Sequence, residues 1–244
     1  MVARSQWRPW VPVPSRPIID PLIELRWGGG SRPASALTAA LITYVALAFC
    51  AQEEREPAAG ITLQRVAAVT YDRLQSLTGL SRAKVSQALA ELIERQLVLQ
   101  EGSTQRRQYA LELGDGRWFK LPCRRLVSHE RILPFTRFNL RSKHELHAMK
   151  LYLYLASVRD NKTEFSVASY EKIYRQTGIP ERDIRRAISA LLGVELLHNV
   201  QRESSTVHPA SRDGEFGPNR YYLAGYQDLF SGLRSSEQQA VGAG

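Results

Sequence analysis

The chain has 244 residues, 43% hydrophobic and 23% charged, with 33 Lys+Arg against 24 Asp+Glu and a net charge of +9. That length suits two domains of about 100 residues, and the basic balance suits a polyanionic partner, although charge alone would equally permit a membrane surface. No stretch reaches the roughly 20 apolar residues of a spanning helix, and Trp7, Pro9 and Trp10 stand where a secretory signal would be apolar, so a cytoplasmic protein is expected.

Residues 1–35 carry Pro9, Pro12, Pro14, Pro17, Pro21 and Pro33 and a Gly28-Gly29-Gly30 run. This composition predicts an extended arm outside any core. Its tryptophans, Trp7, Trp10 and Trp27, need a surface to pack on: this chain, a second copy or a partner. Leu37–Phe49 is apolar enough for a central buried helix of a first domain, residues 36–116. Two cysteines, Cys50 and Cys123, fit buried reduced thiols.

The segment Thr70–Leu97 is then repeated 99 residues later as Ser169–Leu196, with six of 28 positions identical, among them Tyr71/Tyr170, Thr78/Thr177 and Gly79/Gly178. Each copy reads as helix, tight turn, helix. The Thr-Gly pair supplies the left-handed residue that closes the first helix. Ser81 is placed to cap the second helix in one copy, and Pro180 suits its first turn in the other. Val85, Ala88, Leu89, Leu92 and Ile93 form the buried stripe, matched by Ile184, Ala187, Ile188, Leu191 and Leu192. The outward start of the second helix differs: Arg82, Lys84, Ser86 and Gln87 against Arg182, Arg185 and Arg186. In a helix-turn-helix that end enters the DNA major groove. Glu181 and Asp183 are expected to orient the arginines or reject wrong bases.

The apolar helix recurs as Met149–Ala156, with Leu151, Tyr154 and Leu155 matching Leu41, Tyr44 and Val45 at an offset of 110. The change of offset implies an 11-residue insertion in copy one, within Gln52–Arg65. Leu97–Gln100 and Gln108–Leu113 should pair as a hairpin across the tip Gly102–Arg107, with Arg106 and Arg107 on phosphates. Copy two repeats it as Leu196–Arg202 and Arg220–Ala224, which places Arg202 and Arg220 in the same role. Between the halves, residues 117–143 hold eight basic residues, among them Arg124 and Arg125, against Glu130 alone, interleaved with Trp118, Phe119, Phe135 and Phe138. That predicts an ordered connector with a basic face. Residues 144–230 form the second domain, and 231–244 read as a disordered tail.

The fold expected is mainly α with small β-hairpin wings: two tandem winged helix-turn-helix domains. No enzyme is expected. The Gly28–Gly30 run lacks the Lys-Ser/Thr of a phosphate loop. His144 and His147 are too close for a His-Glu-x-x-His motif and show no second pair of ligands, so no metal and no cofactor are expected. Tyr152 and Tyr154 invite comparison with rolling-circle nicking enzymes, but no His-x-His spacing accompanies them.

Phe138-Asn139-Leu140 leading into Met149-Lys150-Leu151-Tyr152 and the second copy of the repeat resembles the theta-type plasmid replication initiators and related phage proteins. The resemblance covers residues 36–226. It implies double-stranded DNA repeats as ligand, self-association through the first domain or the arm, and helicase or polymerase partners. The Pro/Trp arm does not belong to that pattern. Two further readings use the same modules: a transcription regulator or partition adaptor, and a protein-interaction subunit of a larger assembly.

Overall fold

The structure, a computed structural model, describes residues 7–29, 32–55, 63–102, 107–111, 117–202 and 218–229. It consists of helices with small antiparallel sheets. The strand β1 (Trp10–Pro14) leads into a short helix, α1 (Arg16–Ile19), and a 3₁₀ turn (Asp20–Glu24). Next come α2 (Ser35–Cys50), β2 (Gln52–Arg55), β3 (Leu63–Ala68), α3 (Tyr71–Thr78), α4 (Arg82–Glu94), β4 (Leu99–Glu101) and β5 (Gln108–Leu111). The second half opens with β6 (Trp118–Pro122), a small hairpin of β7 (Val127–Ser128) and β8 (Arg131–Ile132), and a 3₁₀ turn (Leu133–Arg137). It continues with α5 (Lys143–Ser157), β9 (Ser166–Ala168), α6 (Tyr170–Thr177), α7 (Glu181–Gly193), β10 (Leu197–Arg202) and β11 (Asn219–Leu223).

Each half therefore runs helix, strand, helix, turn, helix, hairpin. The return strand of each hairpin also pairs with the strand that precedes the two-helix unit, giving sheet orders β2-β3-β5-β4 and β10-β11-β9. Strand pairing is thus more extensive than isolated wings. The insertion expected in copy one carries β2, which pairs antiparallel with β3 and lengthens that sheet.

Local chemistry sets the turns as expected. Gly79 and Gly178 close α3 and α6 with φ of 74° and 65°, values that a Cβ strains. Thr70, Ser81 and Ser169 each accept a hydrogen bond from the backbone N–H three residues on, capping α3, α4 and α6. Pro180 is the N-cap of α7, one residue before the first turn. The buried stripe of α4 and α7 is as read, except that Leu192 is exposed and Ile93 half-buried.

The N-terminal segment overturns the expectation of an arm outside the core. Val11, Val13, Ile18, Leu22 and Leu25 are at most 2% exposed. Of the prolines that suggested a free arm, Pro12 and Pro14 sit in a two-stranded ribbon, where an edge strand tolerates their missing N–H, and Pro17 and Pro21 lie in the first turns of α1 and of the 3₁₀ turn. Residues 10–14 (WVPVP) pair antiparallel with 118–122 (WFKLP) so that Trp10 faces Pro122 and Pro14 faces Trp118. The flanking bonds are reciprocal too: Cys123 N–H donates to the Pro9 carbonyl at 3.0 Å, and Ser15 N–H to the Arg117 carbonyl at 2.9 Å. This is the self-complementary pattern of a two-fold contact, made inside one chain. The two tryptophans stack across it, 5.7 Å apart and 2° from parallel.

The same relation extends to the 3₁₀ turns. Ile19-Asp20-Pro21-Leu22-Ile23 and Ile132-Leu133-Pro134-Phe135-Thr136 are equivalent, with Leu22 and Phe135 buried. Each packs on the other half's two-helix unit. A Cβ on Gly178 would lie 2.9 Å from the Ile23 carbonyl oxygen, and one on Gly79 would lie 3.2 Å from Thr136 Cγ2. The first segment and the connector are therefore one element used twice, exchanged between halves. The helices α2 and α5 pack together at the centre, and one apolar cluster runs through both halves. Every residue of α2 from Ala36 to Phe49 is buried, which is why it is apolar all round. Among the described residues no helix is long and apolar enough to cross a membrane.

Candidate nucleic-acid interface

In copy one the turn end of the hairpin and the start of α4 face each other over Tyr71. Arg107, at the foot of β5, donates to the Tyr71 hydroxyl at 3.0 Å. The guanidinium carbons of Arg107 and Arg82 lie 5.4 and 5.2 Å from the centre of the Tyr71 ring. Tyr71, Arg82, Ala83, Ser86 and Arg107 line an open hollow of about 610 Å³. Two guanidinium groups on one ring make a compact cationic surface. Asp72, paired with Arg82 at 2.9 Å, is exposed, so this contact is easily exchanged for a stronger anion.

The other two residues expected on this face turn inward. The Lys84 ammonium donates to Ser35 Oγ at 2.6 Å and to Gln87 Oε1 at 3.1 Å. Lys84 and Gln87 are half-buried against the N-terminus of α2. Their polarity ties two helices together and does not face outward. Arg106 lies outside the described residues, as do the hairpin tips and the tail from residue 230 onward.

In copy two Arg182, Arg185 and Arg186 are all exposed on α7. Spacings of three and four residues put them on one helix face. Asp183 does not stand among them. It is 3% exposed and pairs with Lys143 at 2.8 Å, which holds its carboxyl below the ordinary aspartate range despite burial. Asp183 is equivalent to Lys84, and both join the start of the second helix to the first helix of their half. The expectation that it orients arginines or rejects bases is replaced by this tether. Glu181 is exposed and takes the place of Arg82, so among the described residues copy two has no arginine pair over its tyrosine, Tyr170.

Arg202 ends β10 and is exposed. Arg220 lies mid-strand in β11, half-buried, with its guanidinium 4.9 Å from the Phe165 ring. Arg124 donates to the Trp7 carbonyl at 3.1 Å, and Arg125 packs beside Gly225. Both come just after β6 and belong to neither helix–hairpin unit. In the connector Phe119, Leu121 and Phe135 are buried while Arg117, Arg131, Arg137 and Arg141 are exposed. Its last turn is organised by Glu145, whose carboxylate accepts the backbone N–H groups of Asn139, Leu140, Arg141 and Ser142 and completes a capping box on α5.

Reading the residues alone missed Tyr71, whose identity in both copies was its signal, and missed the approach of Asp183 to His144 and His147. The chain matches no family model, no curated protein and no solved structure.

Proposed function

We propose that the chain is a double-stranded DNA-binding protein made of two winged-helix units, residues 36–111 and 143–223, and that it initiates replication of a plasmid, phage or other mobile element. The observation that carries DNA binding is the exposed arginine set at the start of α7, on the same scaffold as the Arg82–Tyr71–Arg107 hollow of copy one. In such units the second helix lies in the major groove and the hairpin tracks the backbone. Arginine is the side chain best shaped for bidentate contact with guanine. Copy two is therefore assigned most of the sequence reading. Copy one, with its arginine pair at the mouth of a hollow, is assigned phosphate contact and affinity. The two-fold relation between the halves supports two half-sites in opposite sense, each read by a different set of side chains. The replication role rests on the resemblance of residues 138–152 and the second repeat to replication initiators, and a cytoplasmic location goes with it.

A titration with random and selected duplexes tests binding. About six phosphate contacts should give a slope of log K against log salt of roughly −5. A slope near zero would sink DNA binding and favour the protein-interaction reading, for which the exposed, stacked Trp118 is the natural docking point. Binding to origin but not promoter fragments would separate replication from transcription control.

A further inference from the structure

We propose that His144, His147 and Asp183 form a site for a borderline divalent metal ion such as zinc, clasping the first turn of α7 to the first turn of α5. One nitrogen of each imidazole and a carboxylate oxygen of Asp183 lie within 4.8 Å of one another. Two histidines three apart on α5 and an acid from a second helix make the three-ligand set of an open zinc site, with water completing the coordination. A tetrahedral ion at about 2.0–2.1 Å needs donor atoms roughly 3.3 Å apart.

One further observation points to an ion. The Nδ1 atoms of His144 and His147 are both buried with no hydrogen-bond partner, an unusual cost for a helix terminus that could have placed them in water. Two side-chain cations now stand on these donors and must move aside for an ion: Lys143, 2.8 Å from Asp183 Oδ2, and Arg186, whose Nη1 is 3.4 Å from His144 Nε2. The Lys143 side chain is 42% exposed, so it can swing into water when an ion arrives. Among the described residues copy one has no such cluster, and Ser35 and Lys84 occupy the corresponding junction.

A bound ion would displace Arg186 from His144 and add positive charge beside α7. If α7 reads DNA, metal binding strengthens that contact; this consequence rests on the DNA reading, while the site does not.

The test titrates Co²⁺ into full-length protein stripped of metal. The expected result is one equivalent with the visible absorption of a low-coordinate cobalt ion, bleached by Zn²⁺. His144→Gln and His147→Gln should each weaken binding by more than the roughly 10–100-fold that a second-shell change costs. Lys143→Ala should tighten it, because the competing ammonium is gone; a purely structural role for the cluster would not give that. Circular dichroism confirms that the variants fold. Absence of the cobalt band, or equal affinity of wild type and both histidine variants, overturns the site whatever the DNA result. A normal cobalt spectrum with DNA affinity unchanged by Zn²⁺ overturns the coupling alone.

Discussion

Replacing each turn glycine by alanine gives the two halves different penalties. Gly79 and Gly178 share a left-handed backbone, so a Cβ costs about 1–2 kcal/mol at either. The small gain from a stiffer unfolded chain is also common to both. The neighbours differ. The new methyl of Gly79→Ala meets the Thr136 methyl at 3.2 Å, a side-chain end that can give way. That of Gly178→Ala meets the Ile23 carbonyl oxygen at 2.9 Å, which is backbone held by a 3₁₀ turn with Leu22 fully buried. Overpacking of that kind adds about 1–3 kcal/mol. Gly79→Ala should therefore cost about 1–2 kcal/mol and Gly178→Ala about 2–5 kcal/mol. Urea denaturation reads both from the midpoint at constant m. Thr136→Ser, which removes the facing methyl, should recover part of the loss in Gly79→Ala and nothing in Gly178→Ala. Equal losses, or a larger one at Gly79, would refute the exchange of segments between halves. So would two separate transitions, since one core should unfold once.

Deleting residues 1–25 removes five side chains at most 2% exposed, worth about 1.5–3 kcal/mol each as an upper estimate. That rivals the roughly 5–15 kcal/mol by which a domain is stable, so the truncated chain should show no cooperative thermal transition. Lys150 is buried with its ammonium on the Leu25 carbonyl at 3.0 Å, and burial lowers its pKa from 10.5 to about 8. The unfolded chain then holds more protons between those values, so this group's contribution to stability rises with pH from about 8 to about 10.5. The thiols of half-buried Cys50 and buried Cys123, raised by burial to about 11 and about 12, pull the opposite way. The readout is thus the stability of wild type minus that of Lys150→Met, which should climb across that window; a flat difference would mean that Lys150 is solvated. Arg107→Ala removes the group that donates to the Tyr71 hydroxyl, and should weaken specific and random duplexes by the same factor in a binding titration.

The two-helix units were legible because their signals are local. A Thr-Gly stop, a capping serine and a 3.6-residue stripe all fall within one short window, twice. The exchanged segments were not. WVPVP and WFKLP share only a tryptophan and a proline, and IDPLI and ILPFT only an isoleucine and a proline. Their equivalence lies in which backbone groups they offer each other, and no periodicity records that. Prolines argued for a free arm because their missing N–H is harmless both in water and on a ribbon edge. Lys84, Gln87 and Asp183 were misplaced for a related reason: polarity at a helix start suits a DNA-facing surface and equally a polar junction with a neighbouring helix. Only the position of α2 and α5 decides between them.

The central claim is that α7 reads base sequence. Arg185 is exposed on the same face as Arg182 and Arg186, and among the described residues no ion pair holds it in place. Affinity of wild type and Arg185→Ala should be measured side by side on the selected duplex and on random DNA at one salt concentration. Loss of about 1–3 kcal/mol on the selected site, with a much smaller loss on random DNA and a relaxed preference at one base pair, is the predicted result. The same factor lost on both would mean that α7 touches only phosphate, and the assignment of sequence reading to the second half would fall.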